Sequence, residues 1–154
     1  MDVTVSHTEK AVQLFMDACN CSQAVFAAYA DDVGMTKETA LRLSSSFGGG
    51  MGRLREVCGT VSALFLVAGL LAGYSDVTDK SLKDRHYQLI QQLAAEFREV
   101  HGSIVCRDIL KTSDTSPISA ERTPEFYRTR PCVKCIVTAT EILDRHFFGE
   151  PKAM

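Results

Sequence analysis

The stretch FGGGMGRLREVCGTVSALFLVAGL, residues Phe47–Leu70, combines a glycine-rich segment, one cysteine and a long apolar run. The apolar part, from about Cys58 to Leu71, places hydrophobic residues on nearly every side of a helix, which is typical of a helix buried at the centre of a helical protein. Glycine adopts positive φ angles readily, so the glycines favour a tight turn before this helix. We therefore predict a central helix that follows a glycine-rich turn.

Helical patterns flank this segment on both sides, and no alternating strand pattern occurs. We expect a long helix over about His7–Ala30, a short one capped by Thr36, an amphipathic one capped by Thr78 and ended by Gly102, a short one carrying Cys106, and a last one from about Cys132. Residues 112–131 are rich in proline and polar residues and are expected to be an irregular connection. The prediction is an all-α fold, four-helix-bundle-like, with additional short helices in a single cysteine-containing domain over residues 1–154.

Charge and hydropathy exclude several classes of function. The formal net charge is −2 and the acidic and basic residues are interspersed, so nucleic-acid binding has no electrostatic support. The apolar run is interrupted by glycine, serine and threonine and falls short of the roughly 20 apolar residues that cross a bilayer. The N-terminus MDVTVSHTEK does not resemble a secretory signal, and we expect a cytoplasmic protein without a membrane segment.

The chain has six cysteines, and in a reducing compartment they are expected to be buried thiols, metal or cluster ligands, or redox-active thiols rather than structural disulfides. Cys21 lies on the apolar stripe of the first predicted helix and is expected to point inward, whereas Cys19 cannot face the same way on that helix. The C-x-x-C pair Cys132 and Cys135 stands alone, and its spacing does not distinguish a metal site from a dithiol. The six are Cys19, Cys21, Cys58, Cys106, Cys132 and Cys135.

Cys58 is expected at the start of the central helix, where free N–H groups and the helix dipole favour a thiolate. Arg53 and Arg55 are close enough in sequence to lower its pKa further, with surface positions for both arginines as the alternative. The glycines carry neither a Walker nor a dinucleotide-binding pattern. Their amides are instead expected to approach a cofactor or a thiolate closely, with a simple interhelical turn as the alternative. The candidate cofactor-binding glycines are Gly48, Gly49, Gly50 and Gly59.

The four histidines show no ligand spacing and are predicted to be surface residues. No motif marks a pocket for an organic substrate or assigns a catalytic residue, so electron transfer is favoured over substrate turnover. The histidines are His7, His86, His101 and His146.

Four segments in order, CSQAVFAAY, FGGGMGRLREVCGTVSALFLVAGL, FREVHGSIVCRDIL and CVKCIVTATEIL, together resemble the C_GCAxxG_C_C family, whose members are described as redox-active and carry four characteristic cysteines. The sequence departs from the family motif at Thr60, where the family has alanine, and at Ala63, where it has glycine. A related module in split-Soret cytochromes has a suggested iron–sulfur site. The resemblance implies that the family cysteines are Cys21, Cys58, Cys106 and Cys132, with Cys19 and Cys135 as extras.

Two functions follow as expectations. The first is a redox protein whose clustered cysteines bind an iron–sulfur cluster, or cycle between dithiol and disulfide, in electron transfer with a partner protein. The second is a non-catalytic helical structural or interaction module with a structural zinc site or buried free thiols. A homodimer is compatible with the amount of apolar sequence.

Overall fold

The computed structural model describes residues 5–149, which form helices joined by turns and loops. The all-α prediction is confirmed: within these residues there is no β-strand, and Val57 and Val105 form one isolated antiparallel bridge. The helices are α1 (His7–Met16), α2 (Cys21–Ala28), α3 (Lys37–Ser44), a 3₁₀ turn (Ser45–Phe47), α4 (Gly48–Met51), α5 (Gly59–Ala72), α6 (Lys80–His101), α7 (Cys106–Leu110), α8 (Pro124–Thr129) and α9 (Cys132–Phe147).

Helix α5 occupies the centre, as its apolar sequence predicts. It packs against α2, α6 and α9, and its residues Val61, Leu64 and Val67 are fully buried. Buried hydrophobic residues from α1, α2, α5, α6 and α9 form one cluster, to which α6 contributes Leu93 and Phe97. The four-helix-bundle arrangement and the single-domain extent stay predictions. Among residues 5–149, no helix combines the length and hydropathy needed to cross a membrane.

The prediction of one long N-terminal helix is wrong, because the chain breaks between Met16 and Cys21. Ala18 has φ +88°, and Asn20 begins a new helix with a capping box. The Asn20 side chain accepts a hydrogen bond from the Gln23 amide at 2.9 Å, and the Gln23 side chain accepts one from the Asn20 amide at 3.1 Å. Cys19 therefore lies in the connection, and Cys21 is the first residue of α2.

The other helix ends agree closely with the sequence patterns. Thr36 caps α3 and Gly102, with φ +79°, ends α6 as predicted. The cap of α6 is Asp79 rather than Thr78. The connection predicted over residues 112–131 contains one short helix, α8, which begins at Pro124 after the capping residue Thr123.

Candidate functional site

Five cysteines surround one cavity of about 300 Å³, and all of them are free thiols. The four cysteines that the resemblance selected are among them. The fifth is Cys135, which the sequence analysis set aside as an extra. The five are Cys21, Cys58, Cys106, Cys132 and Cys135.

These thiols line one cavity because four helices begin there. Cys21 is the first residue of α2, Cys58 immediately precedes α5, Cys106 is the first residue of α7 and Cys132 is the first residue of α9. Cys135, one turn further along α9, lies on the same side of that helix as Cys132. Helix N-termini present free N–H groups and a positive dipole end, so this arrangement favours anionic sulfur.

Short backbone contacts hold Cys58 and Cys106 next to each other. The Cys58 amide donates to the Ile104 carbonyl at 2.7 Å, and the Cys106 amide donates to the Glu56 carbonyl at 2.6 Å. The two segments that precede α5 and α7 are therefore paired.

Cys58 has the most acidic thiol of the group, with its pKa lowered to about 7. The largest cause is a hydrogen bond from the Cys135 thiol to the Cys58 sulfur, and burial opposes it. Thr60 adds a side-chain hydrogen bond with Oγ1 3.1 Å from Cys58 Sγ, and the amides of Thr60 and Val61 add two more. Cys58 is 7% exposed. The prediction of a favoured thiolate at this helix start agrees with these contacts.

The other four thiols are held in the protonated form. The pKa of Cys135 is raised because its thiol donates to Cys58 and is buried. Burial also raises the pKa of Cys132, to about 11, and that of Cys21, where an amide hydrogen bond from Gly49 opposes the shift. Burial raises the pKa of Cys106 in the same way. The cavity thus pairs one thiolate with several thiols.

Arginine is the second residue type that distinguishes the cavity wall. Arg53, Arg55, Arg122 and Arg130 line it, whereas its lining contains no Asp, Glu, Lys or His. Arg55 is 1% exposed, and its Nη1 donates to Cys106 Sγ at 3.7 Å. The sequence analysis expected Arg53 and Arg55 either beside Cys58 or at the surface. Arg55 contacts Cys106 instead, so the hydrogen bonds from Cys135 and Thr60 replace the arginines as the main cause of the acidity of Cys58.

Three of the four predicted glycines, Gly48, Gly49 and Gly59, line the cavity. Gly50 lies behind the wall, where an added Cβ would be 2.6 Å from Cys106 Cβ. Gly49 and Gly50 have φ near +70°, which lets the chain turn sharply before α5. Gly52 also lines the cavity and was not singled out by its sequence. The role of these glycines in binding a cofactor stays a prediction.

The loop between α7 and α8 covers one side of the cavity with Pro117, Ser119 and Ala120. Its Arg122 donates to the carbonyls of Phe15 at 3.1 Å and Cys19 at 2.7 Å, which ties the loop to the break between α1 and α2. Cys19 contributes this carbonyl and does not line the cavity.

The chemistry of the donors, rather than their arrangement, suits a metal centre. Among residues 5–149, no group of three or more His, Cys, Asp or Glu side chains is placed to hold a metal ion. A tetrahedral zinc site requires its ligands to converge on one point. The five thiols instead surround a cavity. Cysteine thiolates are the ligands of iron–sulfur clusters, whose several iron atoms spread the ligands apart.

A family model described as "Putative redox-active protein (C_GCAxxG_C_C)" matches residues 19–146. No curated protein and no solved structure matches the chain significantly. The matched range contains all the residues that line the cavity except Phe15.

Proposed function

Because the chain belongs to the C_GCAxxG_C_C family, which is described as redox-active, we propose that Cys58 and Cys135 form a dithiol–disulfide couple. The observation that carries the proposal is that Cys58 and Cys135 line the same cavity, where their interaction lowers the pKa of Cys58 and raises that of Cys135. A thiolate is the nucleophile in thiol–disulfide exchange, and a neighbouring thiol resolves the mixed disulfide. The couple would act in the cytoplasm, where disulfides are transient, and exchange electrons with a partner.

The reaction has two steps when the oxidant is a disulfide RSSR. The Cys58 thiolate attacks one sulfur of RSSR, which forms a mixed disulfide and releases RS⁻. Cys135 then loses its proton and attacks the Cys58 sulfur, which releases the second RS⁻ and leaves a Cys58–Cys135 disulfide. The protein loses two electrons and RSSR gains them, and the proton from Cys135 and one from solvent complete two RSH.

Alkylation after equilibration in redox buffers tests the couple. Peptide mapping is expected to show a Cys58–Cys135 disulfide with a defined midpoint potential, while Cys19 stays reduced. Replacement of Cys135 with Ser should leave Cys58 as a persistent mixed disulfide, because the resolving thiol is missing. A Cys19→Ser variant is the matched control and should keep the midpoint. Six reduced thiols at every potential would refute the proposal.

A second candidate is an iron–sulfur protein, favoured by the number of thiols that share one cavity. Cys21, Cys58, Cys106 and Cys132 would hold the cluster, and the Gly49 amide that contacts Cys21 would donate to a ligand sulfur. The cluster would supply one-electron transfer. This candidate includes the cofactor that the sequence analysis expected.

Matched cysteine variants separate the two candidates in anaerobically prepared protein. An iron–sulfur protein is expected to be brown, with iron and acid-labile sulfide, and to lose its colour in Cys106→Ser but keep it in Cys135→Ser. The dithiol couple predicts colourless protein. Its Cys58–Cys135 disulfide should be lost in Cys135→Ser and kept in Cys106→Ser, because Cys106 takes no part in the couple. Colourless protein without a disulfide in any preparation would leave the structural module as the function.

A further inference from the structure

The cavity wall is cationic although the whole chain is not. Four arginines line the cavity without an acidic residue among the lining, whereas the formal net charge of the protein is −2. A concave site lined by one sign of charge concentrates ligands of the opposite sign. The local charge therefore selects for an anion.

Arg55 provides the strongest sign of a missing anionic partner. Its side chain is 1% exposed, and its Nε donates to the Asp114 carbonyl at 2.8 Å. Its Nη1 donates to the Cys106 sulfur at 3.7 Å. Among residues 5–149, no carboxylate oxygen lies within 4.0 Å of the Arg55 guanidinium. A buried cation without a counter-ion is costly, and a bound anion would remove that cost.

The other arginines differ in what they already bind. Arg122 donates to two carbonyls and lies over the Phe15 ring, so its guanidinium holds the cavity wall together. Arg53 donates to the Ser116 carbonyl at 2.9 Å and pairs with the Asp114 carboxylate at 3.8 Å. The Arg130 guanidinium carbon lies 4.9 Å from the centroid of the Phe126 ring, and within residues 5–149 it forms no ion pair. Among the residues that the structure describes, Arg55 and Arg130 are thus the two cavity arginines that pair with no carboxylate.

We propose that the cavity binds a small anionic disulfide, with Arg55 and Arg130 holding its carboxylate groups beside the Cys58 sulfur. A volume of about 300 Å³ suits a small molecule rather than a protein loop. This inference rests on the proposed dithiol couple and names the class of its co-reactant. The bond changes are those given above: the Cys58 thiolate binds one half of the ligand and displaces the other half, and Cys135 then displaces the bound half, so that both halves leave as carboxylate-bearing thiols.

The test compares three disulfides of similar size and different net charge. They are 3,3′-dithiodipropionate, which is a dianion, 2-hydroxyethyl disulfide, which is neutral, and cystamine, which is a dication. The rate of Cys58–Cys135 disulfide formation is measured for each compound. It is divided by the rate at which the same compound reacts with 1-thioglycerol, a neutral thiol that none of the three releases, and this division removes intrinsic reactivity. We expect the normalised rate to be about tenfold or more higher for the dianion than for the neutral compound, and lowest for the dication.

Arginine variants connect this preference to the cavity. Arg130→Gln should reduce the preference for the dianion several-fold, and Arg130→Lys should retain most of it because the charge is kept. Arg55→Gln should also reduce it, but Arg55 is buried, so Arg130 provides the test if that variant does not fold. Arg98→Gln, on the exposed side of α6 and outside the lining, is the control and should keep the wild-type preference.

The outcomes distinguish a failure of the anion site from a failure of the Cys58–Cys135 couple. Equal normalised rates for the three compounds, with the disulfide still formed, would overturn the anion site and leave the dithiol couple in place. If the preference for the dianion is unchanged in Arg130→Gln and in a folded Arg55→Gln, the assignment of these two arginines as the residues that hold the carboxylates is wrong. No Cys58–Cys135 disulfide with any of the three compounds would refute the couple, and the inference with it.

Discussion

At the scale of single residues, the acidity of Cys58 depends on donors that come from two different helices. Thr60 and the free amides belong to the start of α5, and the Cys135 thiol comes from α9. A hydrogen bond to the charged form of a group lowers its pKa, and burial of the same group raises it. For Cys58 the hydrogen bonds outweigh the burial, whereas for Cys132 the burial prevails.

Removal of the Cys135 donor should therefore make Cys58 less acidic. In Cys135→Ala the pKa of Cys58 is expected to rise from about 7, and its alkylation rate at neutral pH should fall by about threefold or more. The measurement is the pH dependence of iodoacetamide labelling, with Cys58 followed by peptide mass spectrometry. Thr60→Val should shift the pKa in the same direction by less, because one of several weaker donors is lost.

Cys19→Ala is the control for this titration, since Cys19 lies outside the cavity. Its labelling curve for Cys58 should coincide with that of the wild-type protein. An unchanged pKa of Cys58 in Cys135→Ala would show that the two sulfurs are not hydrogen-bonded.

The sequence predicts this site only in part. Cys58 was placed correctly because its neighbours in sequence define a helix start. Cys135 was set aside although the C-x-x-C spacing puts it on the same side of α9 as Cys132, and that spacing is the signal that could have identified it. The position of Arg55 beside Cys106 depends on how the segment before α5 pairs with the segment before α7. No local pattern encodes such a pairing.

At the scale of elements, the glycine-rich segment brings α4, α2 and α5 into close contact. An added Cβ at Gly59 would lie 2.6 Å from Cys21 Sγ and 2.8 Å from the Phe47 carbonyl oxygen. Gly69, ten residues further along α5, has no atom within 4 Å of such a Cβ. The two glycines of one helix therefore have different roles.

Alanine at these two positions should change stability in opposite directions. Gly59→Ala is expected to lower the free energy of unfolding by about 1–3 kcal/mol, because the methyl group overlaps a sulfur and a backbone oxygen. Gly69→Ala is expected to raise it by about 0.5–1 kcal/mol, because alanine loses less backbone entropy in an open helical position. Urea unfolding followed by circular dichroism measures both, and a Gly59→Ala protein as stable as Gly69→Ala would contradict this packing.

Helices with strong local signals were predicted well. The apolar run gave α5, and the amphipathic pattern that ends at Gly102 gave α6. The break at Asn20 was missed because an apolar stripe continues across it, although Asn20 and Gln23 carry the spacing of a capping box. The loop over the cavity has no periodicity, so its position could not be inferred from sequence.

At the scale of the whole molecule, His7 connects the first helix to the last. Its Nδ1 lies 2.9 Å from Asp144 Oδ1 in α9, and its Nε2 lies 2.7 Å from Asp32 Oδ2 after α2. The ring stacks on Tyr29 with centroids 4.0 Å apart. His7 was predicted to be a surface residue, but its side chain is only 20% exposed, because partners 25 and 137 residues away surround it.

These contacts predict that stability depends on pH. Burial lowers the pKa of His7, but the hydrogen bonds and charges of Asp144 and Asp32 outweigh it and raise the pKa above the ordinary 6.5. A folded-state pKa above the unfolded value means that folding favours the protonated ring. The stabilisation is therefore fully present below pH 6.5 and is lost as the pH rises through the higher pKa of the folded state.

A His7→Gln variant isolates this contribution, because glutamine can donate to only one of the two carboxylates and carries no charge. Urea midpoints measured from acidic to alkaline pH should show a deficit on the order of 1 kcal/mol at low pH, since the site is partly exposed to solvent. That deficit should shrink as the pH rises. His86→Gln, whose histidine lies on α6 away from these partners, should follow the wild-type curve at every pH. A His7→Gln deficit that stayed constant with pH would mean that the ring stabilises the protein by packing on Tyr29 rather than by its charge.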